Sequence, residues 1–192
     1  WIYQCVMSAL TGFEAINSSL YDRSTALFEA ICCSLRLTRN RNVVIVAESL
    51  FPSDLEVLRT HVEETEIQLV FAPLEGTTGR IDREALRNLA ANIGDNLAAI
   101  AFPQVNSLGL LEEVDALTDL SHEYGAKAIA MIAPMLLSGG GLKPPSAFGR
   151  EGADLIAGEG QHLAIGPNFG GPGLGVFGVR HNDKTRNDVR ST

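Results

Sequence analysis

Lysine is the scarcest charged residue in this chain, with three among 192 residues, at Lys127, Lys143 and Lys184. Chemistry that needs a primary amine therefore has three places to happen. Cysteine is equally scarce. Cys32 and Cys33 are neighbours on a predicted helix, where side chains diverge by about 100° and do not bridge, and Cys5 stands alone. No CxxC occurs, so the three read as small hydrophobes of a reducing compartment rather than a disulfide framework. Long apolar runs are missing too, which excludes a membrane-spanning helix. There is no basic cluster: the net charge is −8 and the isoelectric point about 5.0. Binding to nucleic acid or an anionic membrane has no electrostatic footprint here. No GxSxG, P-loop or zinc motif is present, and His61 with Glu64 and His122 with Glu123 lack a third ligand. The Gly173-Leu174-Gly175 triplet precedes a strand rather than a helix, so it is no dinucleotide fingerprint.

What is present is a regular alternation. Residues 1–10 read as a helix stopped by Gly12, with Trp1 to Gln4 resembling helix interior rather than a leader. A short strand falls within 13–21, and a helix over 23–37 takes Asp22 as its N-cap. Then VVIVA (43–47), IQLVFA (67–72), LAAIAF (97–102) and AKAIAMI (127–133) each read as a strand. Helices over 52–64, 82–91 and 112–124 follow the first three, and a Gly/Pro-rich loop follows the fourth. DLIAG (154–158), a glycine–proline hairpin and LGVFGV (174–179) complete seven strands, the last expected to be antiparallel. Near-continuous apolar strands are buried on both faces, as in a mostly parallel sheet between two helical layers. At 45% hydrophobic residues the chain buries one good core, expected over 1–180, with 181–192 a polar exit segment. The absence of an initiating Met suggests a piece of a longer or processed chain.

In open α/β sheets, ligands sit beyond the carboxyl ends of the strands. That rule selects Asp22 to Thr25, Leu50 and Phe51, Gln104 to Asn106, Ala133, and Gln161. Ser24 and Thr25 open a helix, where N–H groups and hydroxyls suit a phosphate, although a ligand-free N-cap by Asp22 explains the same residues. Gln161 with His162 reads either as a remnant polar pocket or as plain structure. Asn168, Phe169, Gly170 and Gly171 read either as a tight turn or as a contact to a partner's active site.

Four segments together resemble one family: LTGFEAINSSLYDRSTALFEA (10–30), PQVNSLGLLEEVDAL (103–117), GGLKPPSAFGREGADLIAGEGQ (140–161) and NFGGPGLGVFGVR (168–180). They are similar to the glycine decarboxylase P-protein of the glycine cleavage system, and more narrowly to its subunit 1. The resemblance implies the large domain of a fold-type I pyridoxal-phosphate transferase, within a subunit roughly twice this length. It implies glycine decarboxylation with pyridoxal phosphate and transfer of the aminomethyl group to the lipoyl H-protein. Counted back from GGPG, the position of the Schiff-base lysine falls on Gln161, and that of the acid pairing the pyridinium nitrogen falls on Ala133. The ring-stacking position falls near Phe51. An amide cannot form an internal aldimine.

The resemblance therefore implies that the lysine is supplied by subunit 2 and that the cofactor is not covalently bound to this chain. Vestigial cofactor contacts are expected at Ser24, Thr25 and Phe51, and partner-site contacts at Asn168, Phe169, Gly170 and Gly171. The resemblance also implies a bacterial cytoplasmic protein in a dimeric or higher assembly. The alternative is a non-catalytic pseudo-enzyme of the same fold that only assembles or regulates.

Overall fold

The uninterrupted apolar runs become the central strands. In the computed structural model, which describes residues 1–181, β2 (Val43–Ala47) and β4 (Leu97–Pro103) are buried along their entire length. Around them lie β1 (Ala15–Ile16), β3 (Gln68–Ala72), β5 (Lys127–Ile132), β6 (Leu155–Glu159) and β7 (Gly175–Val179). The seven strands form one sheet in the order β1-β7-β6-β5-β4-β2-β3. The pairs β2–β3, β2–β4, β4–β5 and β5–β6 are parallel, and β7 runs antiparallel to both neighbours, as expected for the strand that lacks a crossover helix. Residues 182–192, most of the expected polar exit segment, lie outside the described residues.

Alternate residues of each strand serve two helical layers. Ile45, Ile100, Phe102, Ala130 and Ile156 face a core shared with α1 (Ile2–Thr11), α4 (Arg83–Ile93) and α5 (Val114–Glu123). Val44, Val46, Ala99, Ala101, Ile129 and Leu155 face the other core, filled by Leu27 and Ile31 of α2 (Arg23–Thr38) and by Leu55 and Leu58 of α3 (Pro52–Val62). The three-layer α/β expectation holds.

Three local readings are corrected. The segment after β5 is not all loop: Pro134–Ser138 forms a short helix, α6, opened by a proline at its first turn, and Pro145–Ala147 a 3-10 turn. The β6–β7 connection is no tight hairpin. The strands are paired neighbours, but a four-residue helix, α7 (Gln161–Ala164), and a 3-10 turn at Asn168–Gly170 stand between them. Finally, α5 starts at Val114 rather than 112, because Glu112 turns inward. Its Oε2 accepts from Ile81 N at 3.1 Å and its Oε1 from Asn106 Nδ2 at 2.9 Å.

At the amino ends of the strands, Asp154 ties three elements together. Its carboxylate accepts from Ala128 N at 2.9 Å, pairs with His122 Nε2 at 2.8 Å and lies 3.2 Å from Lys127 Nζ. Lys127 is thus engaged at the end of the sheet opposite to where ligands bind in such folds.

Candidate functional site at the carboxyl ends of the strands

Two helices begin side by side at this end. Asp22, extended at φ −158°, caps α2: its Oδ1 accepts from Thr25 N and from Thr25 Oγ1, both at 2.7 Å. The Thr25 backbone bond is the main reason its carboxyl is held below the usual range. The N-cap read from the sequence is therefore present. Arg23, the first residue of α2, lays its guanidinium 4.2 Å above the centroid of the Phe51 ring. Phe51 is the N-cap residue of α3, and Pro52 fixes the first turn.

Asp54, in that first turn, is the residue the sequence reading missed. It is 1% exposed, accepts from Ser24 Oγ at 2.6 Å, and lies 3.1 and 3.0 Å from Arg23 Nε through its two oxygens. An acidic residue in a first turn reads from sequence as a solvated partner of the helix dipole. The available signal was Ser24 in the first turn of the neighbouring helix, needing an acceptor. The expected cofactor contacts Ser24, Thr25 and Phe51 are thus brought together, and each is already engaged by Asp54, Asp22 and Arg23 respectively.

The connection into β7 lies against this cap. A Cβ on Gly175 would stand 2.3 Å from the Asp22 carbonyl oxygen, and one on Gly173 would stand 3.0 Å from Asp22 Cβ. Only glycine allows the chain to pass so close.

After β4, Asn106 serves its own loop, and Gln104 ties that loop to the segment after α6. Asn106 Oδ1 accepts from Leu108 N and Leu110 N, both at 3.0 Å, and Gln104 Nε2 donates to the Lys143 carbonyl at 2.7 Å. Ala133 precedes α6 and presents a methyl group, and its carbonyl accepts from Leu136 N at 2.9 Å.

Gln161 opens α7 directly after β6. Its N–H donates to Glu159 Oε1 at 2.9 Å, and its amide Nε2 donates to the carbonyl of Gly170. Glu159 Oε1 also accepts from Leu174 N at 2.7 Å, so it holds both ends of the connection. Burial and the nearby Glu159 charge push the Tyr3 phenol up to about 12. Gln161 and the Asn168–Gly171 turn are therefore one unit. His162 next to it is exposed. Phe169 sits in the left-handed region at φ 58°, ψ 33°, with its ring fully in solvent. That conformation is costly for a bulky side chain.

Phe169 has company. Eight of the eleven exposed large hydrophobics among the described residues lie on connections at this end of the sheet. They are Tyr21, Phe51, Leu108, Leu111, Met135, Leu136, Leu163 and Phe169. A separate groove of about 740 Å³ runs along the sheet edge between α1, β1 and β7, and it contains no lysine. Among the described residues there is no group of three or more His, Cys, Asp or Glu placed to hold a metal, and no helix is long and apolar enough to cross a membrane.

The family profile of the glycine cleavage system P-protein matches residues 2–188. A protein of Thioalkalivibrio sulfidiphilus named "Probable glycine dehydrogenase (decarboxylating) subunit 1" is 40% identical over 180 residues, 93% of this chain and 39% of that protein. The chain thus spans about two fifths of the length of such relatives. A crystal structure of glycine decarboxylase (P-protein), in inhibitor-bound form, superposes with a TM-score of 0.81 at 34% identity, over 98% of this chain and 38% of that one. An L-threonine transaldolase of Pseudomonas fluorescens, captured in its internal aldimine state, shares the fold alone, with a TM-score of 0.71 at 14% identity over 98% of this chain and 40% of that one. The architecture is that of pyridoxal-phosphate enzymes of fold type I.

The residues of this chain do not fit the cofactor. The position expected for the lysine, just after β6, holds the Gln161 amide, and the position expected for the acid holds Ala133. The hydroxyls of Ser24 and Thr25, the expected phosphate contacts, already face carboxylates. Both described lysines are engaged, Lys127 with Asp154 and Lys143 with Asp115 at 2.7 Å.

Proposed function

The chain belongs to the glycine cleavage system P-protein family, and from that membership we propose that it works within subunit 1 of glycine dehydrogenase (decarboxylating). Residues 1–180 form the large domain of that longer subunit. The observation that carries this reading is the 40% identity to a subunit 1 across 93% of the chain. In this reading the reaction is the decarboxylation of glycine with pyridoxal phosphate, and the aminomethyl group passes to the lipoyl arm of the H-protein. Subunit 2 supplies the lysine and the electron-sink chemistry of the cofactor. This chain supplies the apolar end of its sheet, on which subunit 2 docks, and Asn168, Phe169, Gly170 and Gly171 reach the partner's site.

The amide at Gln161 supports the division of labour. An amide nitrogen is not a nucleophile toward the cofactor's aldehyde, and here it bonds the Gly170 carbonyl, fixing the turn that displays Phe169. Gln161 is then a positioning residue.

The experiment is addition of pyridoxal phosphate to the chain alone and to the chain with subunit 2, followed by borohydride reduction and peptide mass spectrometry. The expected adduct lies on subunit 2 only. A stoichiometric adduct on Lys127 or Lys143 of this chain would overturn the assignment.

A further inference from the structure

The first turns of α2 and α3 meet in a cluster that looks built for an anion. It offers two hydroxyls, a guanidinium over an aromatic ring, and the N–H groups of two helix starts. We propose that Asp54, with Asp22, acts as a built-in anion that closes this seat to phosphate-bearing ligands. The closure is independent of which partner the chain serves.

Four of the donors that could receive a phosphate are turned to carboxylates of the chain itself. Thr25 N and Thr25 Oγ1 donate to Asp22 Oδ1, and Ser24 Oγ donates to Asp54 Oδ1. The Nε edge of Arg23 lies on both oxygens of Asp54, while the face of its guanidinium is stacked on Phe51. Asp22 alone is an ordinary, exposed cap. Asp54 is different: it is 1% exposed, and its Oδ2 has no hydrogen bond of its own beside the ion-pair contact. An acceptor buried in this way marks the spot where an incoming oxyanion would meet like charge instead of a donor.

The charge count points the same way. Two carboxylates bring about −2, Arg23 brings about +1, and two helix starts bring about +0.5 each. The cluster is close to neutral as it stands. A phosphate group of about −1.5 to −2 has nothing left to offset it. Space is also short, because Gly173 and Gly175 bring the connection into β7 against Asp22.

Inorganic phosphate and pyridoxal phosphate are the probes. They are titrated by calorimetry into the chain, into Asp54→Asn, Asp22→Ser and the double variant, and into the double variant with Arg23→Gln. Circular dichroism is recorded on each. The native chain is expected to show no saturable binding at millimolar phosphate. The double variant is expected to bind at least about tenfold tighter, with a salt dependence, and Arg23→Gln should remove that gain. Should Asp54→Asn fail to fold, Asp54→Ser, which keeps an oxygen against Ser24, takes its place. Three outcomes overturn the proposal: native binding as tight as that of the double variant, a folded double variant that binds nothing, or gained binding that survives Arg23→Gln.

Discussion

Asp154→Ala is expected to lower the stability of the chain by about 3–5 kcal/mol, a large part of what a domain of this size has. The carboxylate closes the amino ends of β5 and β6 onto the end of α5. Its removal leaves Ala128 N–H without that acceptor and takes the Asp154 charge away from His122 and Lys127, both mostly buried. Asp154→Asn keeps an oxygen for Ala128 and is expected to cost less, about 1–3 kcal/mol. Urea denaturation followed by circular dichroism measures both. A midpoint for Asp154→Ala within error of the native chain would refute the assignment.

The same network sets a pH window. The hydrogen bond to Asp154, opposed by burial and aided by the Asp154 and Glu151 charges, raises the His122 imidazole above its ordinary 6.5. Its stabilisation is fully present below 6.5 and is lost as pH rises through the raised value. Burial pushes the Asp154 carboxyl up, but the His122 bond, the Lys127 charge and the Ala128 N–H outweigh it and hold it below its ordinary 3.8. That contribution is present above 3.8 and is lost as pH falls through the lowered value. The network is therefore fully formed between about pH 4 and 6.5, and Asp154→Ala should flatten the pH dependence on both sides.

Phe169→Asp is expected to weaken association with subunit 2 by about 30- to 100-fold, the effect of a central aromatic anchor lost from an interface, about 2–3 kcal/mol. Phe169 spends unfavourable backbone geometry to place an apolar ring in water. Met135 and Leu163 on α6 and α7 are exposed at the same end of the sheet and extend the patch. Phe169→Gly separates the two effects. It relieves the positive φ, so stability should hold or rise, while association should still fall. Arg150→Ala, on an exposed turn away from this end, is the control. Unchanged affinity of Phe169→Asp for subunit 2 would mean that the ring is not at the interface.

Much of this arrangement was legible in the residues. VVIVA and LAAIAF are apolar without alternation, and both became central strands buried on two faces. Asp22 before an amphipathic run became the cap of α2, and Gly12 at φ 70° ended α1. What escaped was decided by tertiary contact. Glu112 and Asp54 stand where exposed acids are usual, and each was drawn inward by donors from distant segments, Ile81 N and Ser24 Oγ. The β6–β7 connection is rich in glycine and proline and has no period to read, so its short helix and the left-handed Phe169 had no local signature. For the site, Gln161 marked the absent amine, but nothing local revealed that Asp54 fills the space beside Ser24.

The central claim is that this chain is a partner without the Schiff-base lysine, and that subunit 2 does not turn over without it. The most direct test is glycine–bicarbonate exchange with lipoyl H-protein and pyridoxal phosphate, measured on subunit 2 alone, on this chain alone and on the two co-expressed. Exchange is predicted only for the co-expressed pair, and Gln161→Ala should reduce it without abolishing cofactor binding by subunit 2. Exchange by subunit 2 that is the same with and without this chain would contradict the account.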